Sequence, residues 1–179
     1  MSCGAKGLAI FCFSASIGWA EPLIVDNFSD PAAWRYVSDQ VMGGVSEGQA
    51  QFLKEGAETY VRLQGEVSTD NNGGFIQVRR NLVVPFAADS KSLALRLRGN
   101  GATYYVHLRH RDARRPWHYF AAEFATNDDW QNVRLPWSDF SAQGGFQAEF
   151  DPTEIVSVGL VAYGADYTAK LDVAQIAVE

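Results

Sequence analysis

Short runs of alternating apolar and polar residues, broken by turn-forming clusters, constrain this chain more than any other feature. Leu93-Ala94-Leu95-Arg96-Leu97-Arg98 and Tyr105-Val106-His107-Leu108-Arg109 carry the pattern most clearly. A period of two sends successive side chains to opposite faces, which is how a half-buried strand reads in sequence. Comparable runs fall at 23–28, 51–54, 59–67, 75–78, 120–124, 131–135, 155–162 and 170–178. Between them lie Asn72-Gly73-Gly74, Gly99-Asn100-Gly101, Asn127-Asp128-Asp129, Gly144-Gly145 and Gly164-Ala165-Asp166. A helical period is absent beyond single turns near 31–34 and 151–154. Many short strands joined by such turns predict an all-β sandwich.

The first 20 residues stand apart from this pattern. Lys6 begins a short positive region, an apolar run follows to Ile17, and Gly18-Trp19-Ala20 places small residues at the −3 and −1 positions of a cleavage site. These features predict a signal peptide over 1–20, cut before Glu21, and a periplasmic or secreted mature chain. The apolar run is too short to span a bilayer, so residues 21–179 are expected to form one sandwich domain with no transmembrane segment. Both cysteines, Cys3 and Cys12, leave with the leader. The mature chain is then expected to have neither a disulfide nor a thiolate metal site. With 21 acidic residues against 15 lysines and arginines, the full chain lacks the basic balance of a nucleic-acid binder.

Two glycine pairs punctuate the strands. One closes Asp39-Gln40-Val41-Met42-Gly43-Gly44-Val45-Ser46, and the other lies in Asn71-Asn72-Gly73-Gly74-Phe75. Glycine reaches positive φ and permits close backbone approach, so both loops are expected to be tightly specified. Asp39, Gln40, Asn71 and Asn72 either hydrogen-bond a ligand or hold the two loops together, and Arg79 is a candidate charge partner for Asp39. These segments, with 65–68, Leu95-Arg96-Leu97-Arg98-Gly99-Asn100-Gly101 and Trp130-Gln131-Asn132-Val133-Arg134-Leu135-Pro136-Trp137-Ser138-Asp139-Phe140, resemble the complex I intermediate-associated protein 30 family. The resemblance implies a jelly-roll sandwich of the galactose-binding type. It also implies a non-catalytic assembly factor or chaperone for respiratory complex I, acting by protein contact, and it makes Met42, Gly43, Gly44, Gly73 and Gly74 candidate site residues with the polar four.

A second candidate lies in the hairpin over 103–124. Between Arg96 and His118 six arginines face one acid, Asp112. Arg109, Arg111, Arg114 and Arg115, with Trp117 near the tip, are expected to form a patch for an acidic partner or anionic ligand, or a solvated hairpin. If Arg111 faces Trp117, His110 stands opposite His118 and Arg109 opposite Tyr119. No cofactor is expected, and no metal either: His107 and His110 point to opposite faces of a strand, and arginines surround them. No Gly-x-Ser-x-Gly elbow occurs, and the loop aspartates Asp39, Asp70, Asp128, Asp129 and Asp151 are more ordinarily turn formers and caps than catalytic acids. The reading is therefore a non-catalytic exported binding protein. The alternative to protein contact is a jelly-roll module binding a carbohydrate or other small polar ligand. A broad interface patch favours the former, and a concave groove with exposed aromatics favours the latter.

Overall fold

The computed structural model describes residues 23–179, and the leader expected over 1–20 lies outside them. The described residues form β1 (Leu23–Asp26), β2 (Arg35–Ser38), β3 (Glu47–Glu55), β4 (Glu58–Val67), β5 (Phe75–Asn81) and β6 (Ser92–Gly99). They continue through β7 (Thr103–His110), β8 (Phe120–Ala125), β9 (Gln131–Pro136), β10 (Ser141–Ala142), β11 (Ile155–Tyr163) and β12 (Tyr167–Val178). Helical structure among these residues is limited to short 3-10 turns. Pairing is antiparallel throughout and gives two sheets. The first runs β3-β4-β12-β6-β9 with β1 against β12, and the second runs β10-β8-β7-β11-β5-β2. The all-β sandwich is the architecture that the alternation predicts.

The inner faces of both sheets make the core. Leu93, Leu95 and Leu97 of β6 and Tyr104, Val106 and Leu108 of β7 are each 1% exposed or less. Each such leucine contributes roughly 1.5–3 kcal/mol by leaving water. Their sequence neighbours face outward, and the topology decides what they meet. Arg96 and Arg98 lie on the outer face of the first sheet, where Arg96 pairs with Glu58 (2.5 Å) and Arg98 with Glu55 (2.8 Å) and Asp172 (2.9 Å). Arg98 also lies over the Trp130 ring, 4.5 Å from its centroid. The arginine-rich stretch is thus divided between two sheets, and its first third is neutralised on a face remote in topology from the hairpin.

Two strands escape the sequence pattern. β2 has only four residues at a sheet edge, and β10 has two, so neither is long enough to show a period. The 3-10 turns at Pro31–Ala33 and Pro152–Glu154 sit where isolated turns are expected. Their caps, Asp30 and Asp151, accept from the backbone N–H two residues on, at 3.1 and 2.8 Å.

The β7–β8 register is the expected one, with His107 opposite Ala121 and Leu108 opposite Phe120. The ladder stops there, so Arg109–Tyr119 and His110–His118 do not form as strand pairs. Phe146 instead packs against both imidazoles, with ring centroids 5.7 Å from His110 and 5.3 Å from His118. Among the described residues no group of three His, Cys, Asp or Glu side chains is placed to hold a metal ion.

Candidate functional site

Asp39 organises one end of the second sheet. It has no exposed surface, and its carboxylate accepts from Ser46 N (3.0 Å), Ser46 Oγ (2.5 Å), Gly74 N (2.6 Å) and Phe75 N (3.2 Å). Ser46 Oγ in turn accepts from Ser68 N at 3.0 Å. One side chain therefore ties together three of the segments that carry the family resemblance. Burial pushes its carboxyl pKa up, but the donors from Ser46, Gly74 and Phe75 outweigh that and hold it below the ordinary value. The glycines are explained by the same group. A Cβ on Gly44 would stand 2.6 Å from Asp39 Oδ1, and one on Gly73 would overlap the same carboxylate. Gly43 takes φ +91° as the residue closing the Asp39–Met42 turn.

The expected Arg79–Asp39 ion pair does not exist. Asp39 spends its acceptors on the loops, while Arg79 lies on the outer face of β5 with its Nε buried and without a hydrogen-bond partner. Asp39 is a scaffold residue, out of reach of any ligand. Asn71 and Asn72 adopt left-handed backbone (φ 56° and 57°), a conformation asparagine tolerates better than most residues. Their exposed side chains leave the loop-holding work to Asp39.

The outer face of the second sheet forms a groove of about 860 Å³, inside the size range of small-ligand sites. Strand register composes it. One row reads Arg35, Arg79, Gly159, His107 across β2, β5, β11 and β7, and the next reads Val37, Gln77, Val161 across β2, β5 and β11; that second row runs on past the groove's lining to Tyr105 and Glu123. Gly159 makes the floor low: a Cβ there would sit 3.3 Å from Gln77 Oε1 and 3.5 Å from Arg79 Cβ, so any longer side chain would stand in the groove. At one end of the strands rise the glycine loops, through Gln40, Met42, Asn72 and Gly73; at the other rises the hairpin, through Pro116 and Trp117. Residues from both sequence candidates border this one groove.

Aromatic surface is concentrated here. His107 stacks on Tyr119 (centroids 4.0 Å, planes 17° apart) and meets Tyr163 edge-on at 5.9 Å. Trp117 is 48% exposed, with the Arg115 guanidinium 5.5 Å from its ring centroid. Desolvation pushes the His107 pKa down to about 3, so the imidazole is neutral in the groove. In the unfolded chain it titrates near 6.5. Between these values the unfolded state binds a proton that the folded state refuses, so acidification through this window lowers stability. We expect wild type to lose on the order of 1 kcal/mol more than His107→Gln between pH 7 and pH 4.5, as read by urea denaturation at each pH. Equal losses would remove His107 as the cause.

Arg109 donates from Nη2 to the carbonyls of Ala113 (2.8 Å) and Arg115 (3.3 Å), bracing the hairpin from the groove side. Arg111 is turned away and pairs with Glu154 at 2.5 Å. Arg114 and Arg115 are exposed beside the groove and do not line it. The sequence reading missed Arg35, Gln77, His107, Tyr119, Gly159 and Tyr163, all lining residues. Only the alternation in β7 signalled the face on which His107 lies, and nothing in the sequence places β2, β5, β11 and β7 side by side.

A family model described as Complex I intermediate-associated protein 30 matches residues 25–173. No curated protein matches the chain by sequence. Among solved structures, the family 11 carbohydrate-binding module from Clostridium thermocellum, in complex with a beta-1,3-1,4-mixed-linked tetrasaccharide, is similar at TM-score 0.72 and 14% identity, covering 88% of this chain and 94% of that one. A family 30 carbohydrate-binding module of the Clostridium thermocellum cellulosomal cellulase Cel9D-Cel44B is similar at TM-score 0.64 and 13% identity, covering 89% and 97%. An exo-beta-agarase is similar at TM-score 0.56 and 9% identity over 90% of this chain, which spans 25% of the agarase chain. At these identities the likeness is one of fold.

Proposed function

This chain belongs to the complex I intermediate-associated protein 30 family, and for this member we propose that the groove on the second sheet is a non-catalytic binding site for a glycan. The observation that carries the reading is the groove itself: a low floor at Gly159, polar rows across the strands, and exposed Trp117 and Tyr163 at its two ends. Aromatic faces stack on sugar rings, and Gln and Arg side chains supply the directional hydrogen bonds that hydroxyls need. A sandwich of the same architecture appears with a bound tetrasaccharide, which supports a sugar as the ligand class. The leader expected over 1–20 belongs to the same reading, since export delivers the chain to where polysaccharides are met.

Affinity electrophoresis in gels containing neutral and acidic polysaccharides tests it. The protein is expected to be retarded by at least one polymer. Gly159→Leu should abolish retardation by filling the groove, and Trp117→Ala should weaken it about tenfold. Both substitutions leave the inter-sheet core untouched, so melting temperatures should stay close to wild type. Retardation that survives Gly159→Leu would place the site elsewhere.

A second reading, protein contact during assembly of a respiratory complex, has its own observation. Val83 and Val84 stand side by side on the loop after β5 at 88% and 73% exposure. On that reading Val83→Ser with Val84→Ser weakens association with membrane-arm subunits of the complex and leaves glycan retardation unchanged.

A further inference from the structure

The arginines fall into two sets. Arg62, Arg80, Arg96, Arg98, Arg111 and Arg134 each have a carboxylate partner. Among the described residues the arginines without one are Arg35, Arg79 and Arg109, which line the groove, and Arg114 and Arg115 on the hairpin beside it. No aspartate or glutamate lines the groove, on a chain whose formal charge is −6. Cationic side chains that simply decorate a surface would find acids as readily as their six counterparts did.

The arrangement is also unfavourable to the empty protein. Arg35 and Arg79 are directly paired across β2 and β5, a spacing at which like charges destabilise a sheet. Burial first, then the charges of Arg35 and Arg109, draws the Arg79 pKa below its ordinary value. Arg79 Nε has no acceptor. A guanidinium presents donors in a planar fork that matches a carboxylate or a sulfate. An anion in the groove would satisfy the buried donor and relieve the repulsion at once.

We infer that the groove takes an anionic glycan, sugar rings bearing carboxylate or sulfate groups, with Arg35, Arg79 and Arg109 supplying the counter-charges. The inference rests on the glycan reading above and specifies its substrate class. The ring faces lie against Trp117 and the Tyr119–His107 stack, while the acidic substituents reach the arginine row at the hairpin end. His107 is neutral and adds no charge, so binding depends on guanidinium alone and persists from pH 7 to pH 8.

Isothermal titration of the purified protein with four probes tests the inference: oligogalacturonate, a sulfated carrageenan oligosaccharide, a neutral mixed-linked β-glucan oligosaccharide and poly-glutamate of matched charge. The expected result is binding of at least one acidic sugar, tighter than the neutral one by about tenfold or more and weakened by raising salt from about 50 to 500 mM. Which acidic sugar binds separates carboxylate from sulfate. Arg79→Met should cost at least about tenfold in affinity for the acidic probe and nothing for the neutral one. Arg35→Met, at an exposed edge position, provides the same readout without touching a buried site. Neutral glucan binding as tightly, with no dependence on salt or on either arginine, would overturn the anionic inference and leave the glycan reading standing. Binding of no sugar would overturn both. Poly-glutamate binding as tightly as the acidic sugars would show that charge alone is recognised, and the glycan class would fall.

Discussion

Asp39→Ala is expected to destabilise the protein by about 4 kcal/mol, which for a chain of this size lowers the melting temperature by about 10 °C. The carboxylate is fully buried and takes hydrogen bonds from Ser46 N, Ser46 Oγ, Gly74 N and Phe75 N. Alanine would leave those donors buried and unpaired, each forfeiting a charge-assisted bond worth roughly 1.5–3 kcal/mol, less what relaxation and entering water recover. Asp39→Asn should lose less, because one amide oxygen still accepts while its NH₂ group faces donors. Urea denaturation of the three proteins reads the order directly. The folded-state pKa of Asp39 is depressed, so its contribution is complete above the unfolded value near 3.9 and is lost as pH falls through the folded value. The gap between wild type and Asp39→Asn should therefore be full at pH 7 and narrow below about pH 4. A loss under about 1 kcal/mol for Asp39→Ala would show that the two glycine loops hold without it.

Arg79→Met should do the opposite and stabilise the ligand-free protein by roughly 1 kcal/mol, or about 2–4 °C in melting temperature. The guanidinium has a buried Nε with no acceptor and stands against Arg35 across the strand pair. Methionine keeps most of the aliphatic stem that covers the sheet and removes the desolvated charge. Gains of this kind are expected where a binding site holds unsatisfied groups in readiness for a ligand, because stability is given up there for recognition. The thermal melt must be run without any polyanion, since a bound anion would stabilise wild type and mask the effect. A drop in melting temperature would mean that Arg79 has a stabilising partner after all, and its place in an anion site would be lost.

The hairpin and the glycine loops illustrate how much of the site is legible before folding. Both were marked in the sequence, one by arginines beside a tryptophan and the other by paired glycines among Asp, Gln and Asn. Their convergence on one groove was not marked, because it depends on β2, β5, β11 and β7 lying side by side in the second sheet. Arg35 lies in a strand too short to show a period, and Gly159 reads as one more small residue in an apolar run. Asp39 offers the reverse case: its polar loop context suggests a ligand contact, whereas its neighbours fold over it and consume every acceptor.

Sequence alone determined the strand-and-turn grammar, because side-chain alternation and turn chemistry are local and follow from backbone geometry. It likewise determined which residues of β6 and β7 enter the core, since the period of two leaves a strand only one apolar face to bury. The tertiary structure decided the electrostatics. Arg96 and Arg109 are near in sequence, but β6 and β7 belong to different sheets, so one guanidinium meets Glu58 and the other faces a groove without acids. Charge interactions act through space over a few ångströms, and the distances that matter are set by strand order and register, to which the spacing of residues along the chain is blind.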